Sequence, residues 1–257
     1  MSKGLSTTEI IKLKKSDMEK VDMFFQFSSW TDDDYEEYNR LLQQLKSSYG
    51  KCKVNSENKV VTKSKGDALE DIVNFIIEKS YFLEVYPNKR TATNEIDQLI
   101  VISNYGNQSI YTQGFSKKLL GFDGDFFLGE CKNYDEKVGV TWIGKFNTLL
   151  KVCGDCKFGI IFSYSGLTGS ENKWEDAHGL TKVIYKTSNK GEEKYIIDFN
   201  IKDFETLLDR NTNFFKIIKA KKLALATGCK SEKLFEVNDG EEEMEQIYKE
   251  MVLEKLL

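Results

Sequence analysis

The chain has 257 residues, enough for one medium α/β domain with added elements or for two small domains. Hydrophobic residues make up 40% and aromatic residues 12%, so a sizeable core can form, and the formal net charge of −4 argues against a histone-like coat for nucleic acid while leaving room for a local basic groove. No apolar run approaches the ~18 residues of a membrane span, residues 1–20 show no secretory h-region, and an odd set of five cysteines fits reduced thiols in a cytoplasmic protein.

Three stretches follow one another without an internal repeat: residues 1–60, 61–210 and 211–257. The first reads as a helical, polar N-terminal extension. Thr7-Thr8-Glu9 leads into an Ile/Leu/Lys run, and Tyr38, Leu41, Leu42 and Leu45 recur at helical spacing. Asp32-Asp33-Asp34 reads as a helix start, because carboxylates suit the positive N-terminal end. The second stretch alternates helix and strand. Residues 66–79 form a helix with Leu69, Val73, Ile76 and Ile77 on one face. Residues 84–86, 95–102, 126–132 and 158–164 read as strands, and 140–152 as a helix. Residues 183–187 and 194–199 flank Ser188-Asn189-Lys190-Gly191 and read as a hairpin, and 202–208 begins another helix. This order predicts an α/β fold with a mixed central sheet flanked by helices. In the third stretch, a helical C-terminal extension, residues 213–226 carry Lys216, Lys219, Lys221 and Lys222, which read as a solvated helix face rather than a phosphate-binding one. Residues 241–257 start acidic, then place Met244, Ile247, Met251 and Leu253 near helical spacing. An amphipathic helix docked on its own domain is expected there, with a dimer or partner helix as the alternative.

Chemistry concentrates in two strands. In Asn94-Glu95-Ile96-Asp97-Gln98-Leu99-Ile100-Val101-Ile102, a carboxylate sits where an apolar strand enters the core. Buried, it needs a partner or a cation. In Phe126-Phe127-Leu128-Gly129-Glu130-Cys131-Lys132, period-2 alternation puts Glu130 and Lys132 on one face and Cys131 on the other. Two carboxylates suit a hard divalent cation such as Mg2+, and an adjacent ammonium suits the charge that develops in phosphodiester hydrolysis. Glu70, on the preceding helix, falls near that helix's apolar face and is a third candidate carboxylate.

Other chemistries find less support. Cys153-Gly154-Asp155-Cys156 lacks a second pair for zinc and closes a helix rather than opening one, so it reads as a turn. The single histidine, His178, lies in a polar stretch read as a loop, and no serine elbow accompanies it. Gly144-Lys145 is followed by Phe146 where a phosphate loop needs a hydroxyl, and Asp123-Gly124-Asp125 reads as a turn.

The order Glu70, Asp97, Glu130-Cys131-Lys132 on helix, strand and strand resembles the PD-(D/E)XK nuclease superfamily, and within it the catalytic domains of Mrr-type restriction endonucleases. Lys65-Gly66-Asp67-Ala68-Leu69-Glu70 is similar to the family's opening helix. Residues 159–168 resemble the strand and turn after its second core helix, and Ile196-Ile197-Asp198-Phe199 with Asp203-Phe204 its closing strand and helix. The likeness covers roughly residues 65–210.

The resemblance implies a restriction-endonuclease-like fold and a Mg2+-dependent endonuclease that hydrolyses phosphodiester bonds in DNA, with Mn2+ as a substitute, in prokaryotic defence against foreign DNA. It implies metal binding by Asp97, Glu130, Glu70 and the backbone carbonyl of Cys131, and catalysis by Lys132 with those carboxylates. DNA is the implied partner, with a homodimer or a subunit role in a larger defence complex, and no membrane. The alternatives are a nuclease-fold subunit that binds DNA or protein without cutting, and a ribonuclease. Two departures stand out. Residues 103–125 make a long link between the two active strands, and its Lys117 and Lys118 are either substrate contacts or ordinary surface-loop residues. Where many relatives carry a glutamine, this chain offers Thr141, Trp142 and Lys145, of which Lys145 is the candidate phosphate contact.

Overall fold

The computed structural model describes residues 16, 19–50, 58–90, 95–170, 173–228 and 231, with the backbone alone at 50 and 58–65. The expected helix over 241–257, the Thr7-Thr8-Glu9 start, Cys52 and Cys229 lie outside the described residues.

Helix α1 covers residues 19–27 and α2 covers Asp32–Gly50. The Asp triplet does start a helix. Thr31 and Asp34 cap it reciprocally: the Asp34 N–H donates to Thr31 Oγ at 3.2 Å, and the Thr31 N–H donates to Asp34 Oδ2 at 3.0 Å. Helix α3 covers Asn58–Glu78 and buries Leu69, Ile72, Val73, Ile76 and Ile77 completely. Strands β1 (Leu83–Arg90) and β2 (Glu95–Ile102) pair antiparallel. Pro87 fits β1 because that strand is the sheet edge, where a missing N–H breaks no ladder bond. The long link then folds: helix α4 (Asn104–Gln113) and a 3-10 turn (Lys117–Leu120) lead to β3 (Phe126–Lys132).

From β3 onward the sheet is parallel. Helix α5 (Val140–Val152) connects β3 to β4 (Phe158–Ser163), and α6 (Asp176–Thr187) connects β4 to β5 (Tyr195–Phe199). The strand order is β1-β2-β3-β4-β5, antiparallel on one half and parallel on the other. Helices α7 (Ile201–Thr206) and α8 (Phe214–Thr227) complete the described chain. The α/β class with a mixed five-stranded sheet flanked by helices therefore matches expectation.

The expected hairpin does not form. Residues 183–187 are the last turns of α6, and β5 pairs parallel with β4. His178 also lies in this helix rather than in a loop. Residue spacing explains the helix: Ala177, Thr181 and Ile184 are its buried positions, four and three residues apart. The Cys-x-x-Cys does lie in a turn after α5, where the Cys156 thiol donates to the Phe158 carbonyl at 3.1 Å.

Every residue of β4 is buried, so helices cover both of its faces. Buried side chains of α1, α2 and α8, including Phe24, Tyr38, Leu42 and Phe215, belong to the same core as the sheet. The Tyr38 hydroxyl donates to the Phe204 carbonyl at 2.7 Å, tying α2 to α7. Packing is thus continuous across the expected borders near residues 60 and 210. No described helix is long and apolar enough to cross a membrane.

Candidate active site

Strands β2 and β3 part at one end, and the candidate residues gather there. Their ladder runs from Val101↔Phe126 to Gln98↔Gly129. At the next rung, the Cys131 N–H donates to Asp97 Oδ2 at 3.1 Å instead of to a β2 carbonyl. A strand residue's N–H and C=O point to the same edge. The Cys131 carbonyl is therefore aimed toward β2 as well, beyond the last paired register.

Asp97, Glu130 and Lys132 share one face, as the alternation predicts. Lys132 Nζ forms an ion pair with Glu130 and lies 3.9 Å from Asp97 Oδ2. The Lys132 and Glu130 side chains are only 12% and 14% exposed, so the pair is shielded from water. Burial pushes the Asp97 carboxyl above its usual range, more than Lys132 and the Cys131 N–H pull it down. Burial and the charge of Asp97 push Glu130 up in the same way. Burial lowers the Lys132 ammonium, but its bond to Glu130 outweighs this and holds it above normal. That direction favours the charged form of Lys132.

Glu70 approaches from α3. Burial raises its carboxyl, and so does the charge of Asp97, while a hydrogen bond with Asn88 opposes them. The Cys131 thiol lies on the opposite strand face, beside Gln98. Burial and then the charges of Asp97, Glu70 and Glu130 push it well above the normal thiol range. Behind the site, Gln98 is fully buried, its amide 4.0 Å from the Cys131 sulfur.

Two neighbours, Asn88 and Glu95, were not assigned to the site from sequence, and the contact made by a third, Trp142, was not foreseen. Asn88 falls opposite Asp97, between the pairs Pro87↔Gln98 and Lys89↔Ile96, with φ of 51°. That left-handed backbone re-aims it toward Glu70, and the Pro87-Asn88 dipeptide inside a strand was its signal. Glu95 lies two residues before Asp97, on the same face, and raises both Asp97 and Glu130. Trp142, on the first turn of α5, lies under Lys132 at 4.2 Å and under Lys145 at 4.5 Å, with the Tyr134 ring 5.8 Å away. Helix α5 reaches the sheet because residue 159 is glycine: a Cβ there would meet the Phe146 ring at 2.6 Å.

Glu95, Glu130, Trp142 and Lys145 line an open cleft of about 520 Å³. Lys145 is thus brought beside the carboxylates. Lys117 and Lys118 are not. They precede β3 at its opposite end, and at about 3.3 Å per residue the four steps from Phe126 to Glu130 alone span roughly 13 Å. Lys117 there pairs with Asp125 at 2.7 Å.

Among the described residues no group of three His, Cys, Asp or Glu side chains is preassembled around a metal position. Two carboxylates are nevertheless the usual protein contribution to Mg2+, which keeps several waters. The donors at this strand end are hard oxygens, and the mutual charge that raises Glu130 is what a cation would relieve. The residues therefore fit such an ion. Compared with protein-family models, with curated proteins and with solved structures, the chain matches none.

Proposed function

We propose that this protein is a Mg2+-dependent endonuclease acting on DNA, in prokaryotic defence against foreign DNA. The observation that carries this reading is the convergence of Asp97, Glu130 and Lys132 at the open end of β2 and β3, beside a cleft. Asp97, Glu130 and the Cys131 carbonyl would hold the ion, with Glu70 at its margin. A divalent cation bound there supplies Lewis acidity to the phosphate and lowers the pKa of water.

The remaining steps belong to the side chains. Lys132, held protonated, donates to a non-bridging phosphate oxygen and stabilises the charge that grows as water attacks in line. Its ion pair with Glu130 and its seat on Trp142 fix the ammonium before substrate arrives. Lys145, on the other contact of the indole, meets the flanking phosphate. Asn88 orients Glu70.

The test uses supercoiled plasmid, linear single-stranded DNA and RNA, each with Mg2+ or EDTA. Wild-type protein is run beside Asp97→Ala and Lys132→Ala. Mg2+-dependent DNA cleavage lost in both variants is the expected result. Cleavage unchanged in both variants would overturn the site. Binding of DNA without cutting under every condition would replace the enzyme with a binding subunit, and cutting of RNA alone would make it a ribonuclease.

A further inference from the structure

A second concave site lies at the other end of the sheet. It opens where α8 crosses the amino ends of β4 and β5, against the turn that follows Lys117–Leu120. Lys118, Lys219 and Lys222 line it beside Tyr195 and Leu223, with the buried Phe122 at its floor, around an open hollow of about 320 Å³. Volumes of roughly this size and upward are typical of small-ligand sites.

The charges there are not balanced. Three ammonium groups face one carboxylate, Asp123. That carboxylate stands 3.8 Å from Lys222 with its side chain 79% exposed, so it screens Lys222 weakly. Lys222 itself is 17% exposed and lies over the Tyr195 ring at 4.3 Å. Lys118 and Lys219 form no ion pair among the described residues, whereas the adjacent Lys117 is paired with Asp125. Desolvation also pulls Lys219 and Lys222 below the normal lysine range, a cost that a bound anion would reverse. In a chain of net charge −4, this is a local excess of positive charge with its own cavity.

The site is separate from the carboxylate cleft. Tyr195 is level with Phe158 in the sheet register, whereas Lys132 is level with Ser163. Five residues of strand separate the two levels, on the order of 16 Å. Lysines around an apolar pocket combine two recognitions: ammonium groups take phosphate oxygens, and the walls take a flat, weakly polar body.

We propose that this pocket binds a free mononucleotide, with its phosphate on Lys118, Lys219 and Lys222 and its base against Tyr195 and Leu223. The proposal stands whether or not the carboxylate site cleaves DNA.

Calorimetric titration of the full chain with adenosine 5′-monophosphate tests it, with inorganic phosphate and a single-stranded oligonucleotide as competitors. Wild type and Lys132→Ala are expected to bind one nucleotide with equal affinity. The double variant Lys118→Gln/Lys219→Gln, which removes two ammonium groups without breaking an ion pair, is expected to bind at least ~10-fold more weakly, the loss of about 1.4 kcal/mol. Inorganic phosphate is expected to compete more weakly than the nucleotide. Absence of nucleotide binding, or equal binding by the double variant, overturns the proposal. Phosphate competing as well as the nucleotide removes the base from it. Tighter displacement by the oligonucleotide replaces the free nucleotide with a nucleic-acid strand. Circular dichroism of the double variant must match wild type, which separates lost binding from lost folding.

Discussion

Two clusters in this molecule have the same composition and opposite designs. Each joins two carboxylates to one lysine. At the parted end of β2 and β3 stand Asp97, Glu130 and Lys132. Between β5, α7 and α8 stand Asp198, Asp203 and Lys221, whose ammonium lies 3.2 and 2.8 Å from the two acids. The second cluster is the more deeply buried: its side chains are 8%, 11% and 13% exposed at Lys221, Asp198 and Asp203, against 28% at Asp97. Its hydrogen bonds are also spent on structure. Asn200 donates to Asp198 at 2.6 Å and receives the N–H of Lys202, while Asp203 takes the N–H of Asn200 in a capping box that starts α7. Burial pushes both acids up; Lys221, His178 and Asn200 outweigh it at Asp198 and hold that carboxyl below its usual range, while burial and the charge of Asp198 leave Asp203 raised to about 6 despite Lys221. What sets the strand end apart is the cleft beside it, where both acids are raised. A satisfied buried network fixes a fold, and an unsatisfied one next to open space is a candidate for chemistry.

The largest expected effect is on the more deeply buried cluster. Lys221→Met leaves two buried acids without their cation and should cost about 3–5 kcal/mol in urea unfolding. Lys132→Met, whose acids face a cleft, should cost clearly less. Equal losses would erase the distinction between the two clusters. Next comes activity: Lys132→Ala should lower the cleavage rate by roughly 10²–10³-fold, the usual cost of removing a donor to transition-state charge. Lys221→Met, assayed where it is still folded, should retain it.

The pH dependence sharpens the contrast. Carboxylates raised in the folded state bind more protons than in the unfolded chain. Their contribution to stability is present below the ordinary carboxylate pKa of about 4 and lost as pH rises through the raised values. Asp97→Asn should therefore raise the melting temperature above that window while removing activity. Cleavage by the wild type should fall on acidification, because the acids must be ionised to hold a cation. Glu95 raises both acids, so Glu95→Gln should move that acid limb to lower pH in a rate profile. An unmoved limb would remove Glu95 from the site. The smallest effect expected is at the indole. Trp142→Leu removes a cation–π contact of about 0.5–2 kcal/mol and should slow turnover by no more than roughly 30-fold, with Trp142→Phe restoring part of it.

Much of this was legible in the residues. The bounds of β2, β3 and α5 were readable because each is a continuous, largely apolar run bounded by polar or turn residues. The shared face of Glu130 and Lys132 follows from alternation alone. The hairpin over 183–199 failed because Val183, Ile184 and Tyr185 favour strands locally, while the spacing of Ala177, Thr181 and Ile184 lets a helix bury one face. Lys221 read as one of four lysines on a wet helix face. Its burial depends on Asp198 and Asp203, about twenty residues earlier in the chain, and no local pattern carries that information. Trp142 was visible as a residue but not as a partner of Lys132, because their contact depends on how closely α5 packs at Gly159.

Manganese titration followed by electron paramagnetic resonance tests the central claim most directly. Wild-type protein should bind one Mn2+ that Mg2+ displaces, and Asp97→Asn, folded and at least as stable, should bind none. No Mn2+ bound by the wild type, or the same ion bound by Asp97→Asn, would contradict the assignment of the parted strand end as a metal-dependent active site.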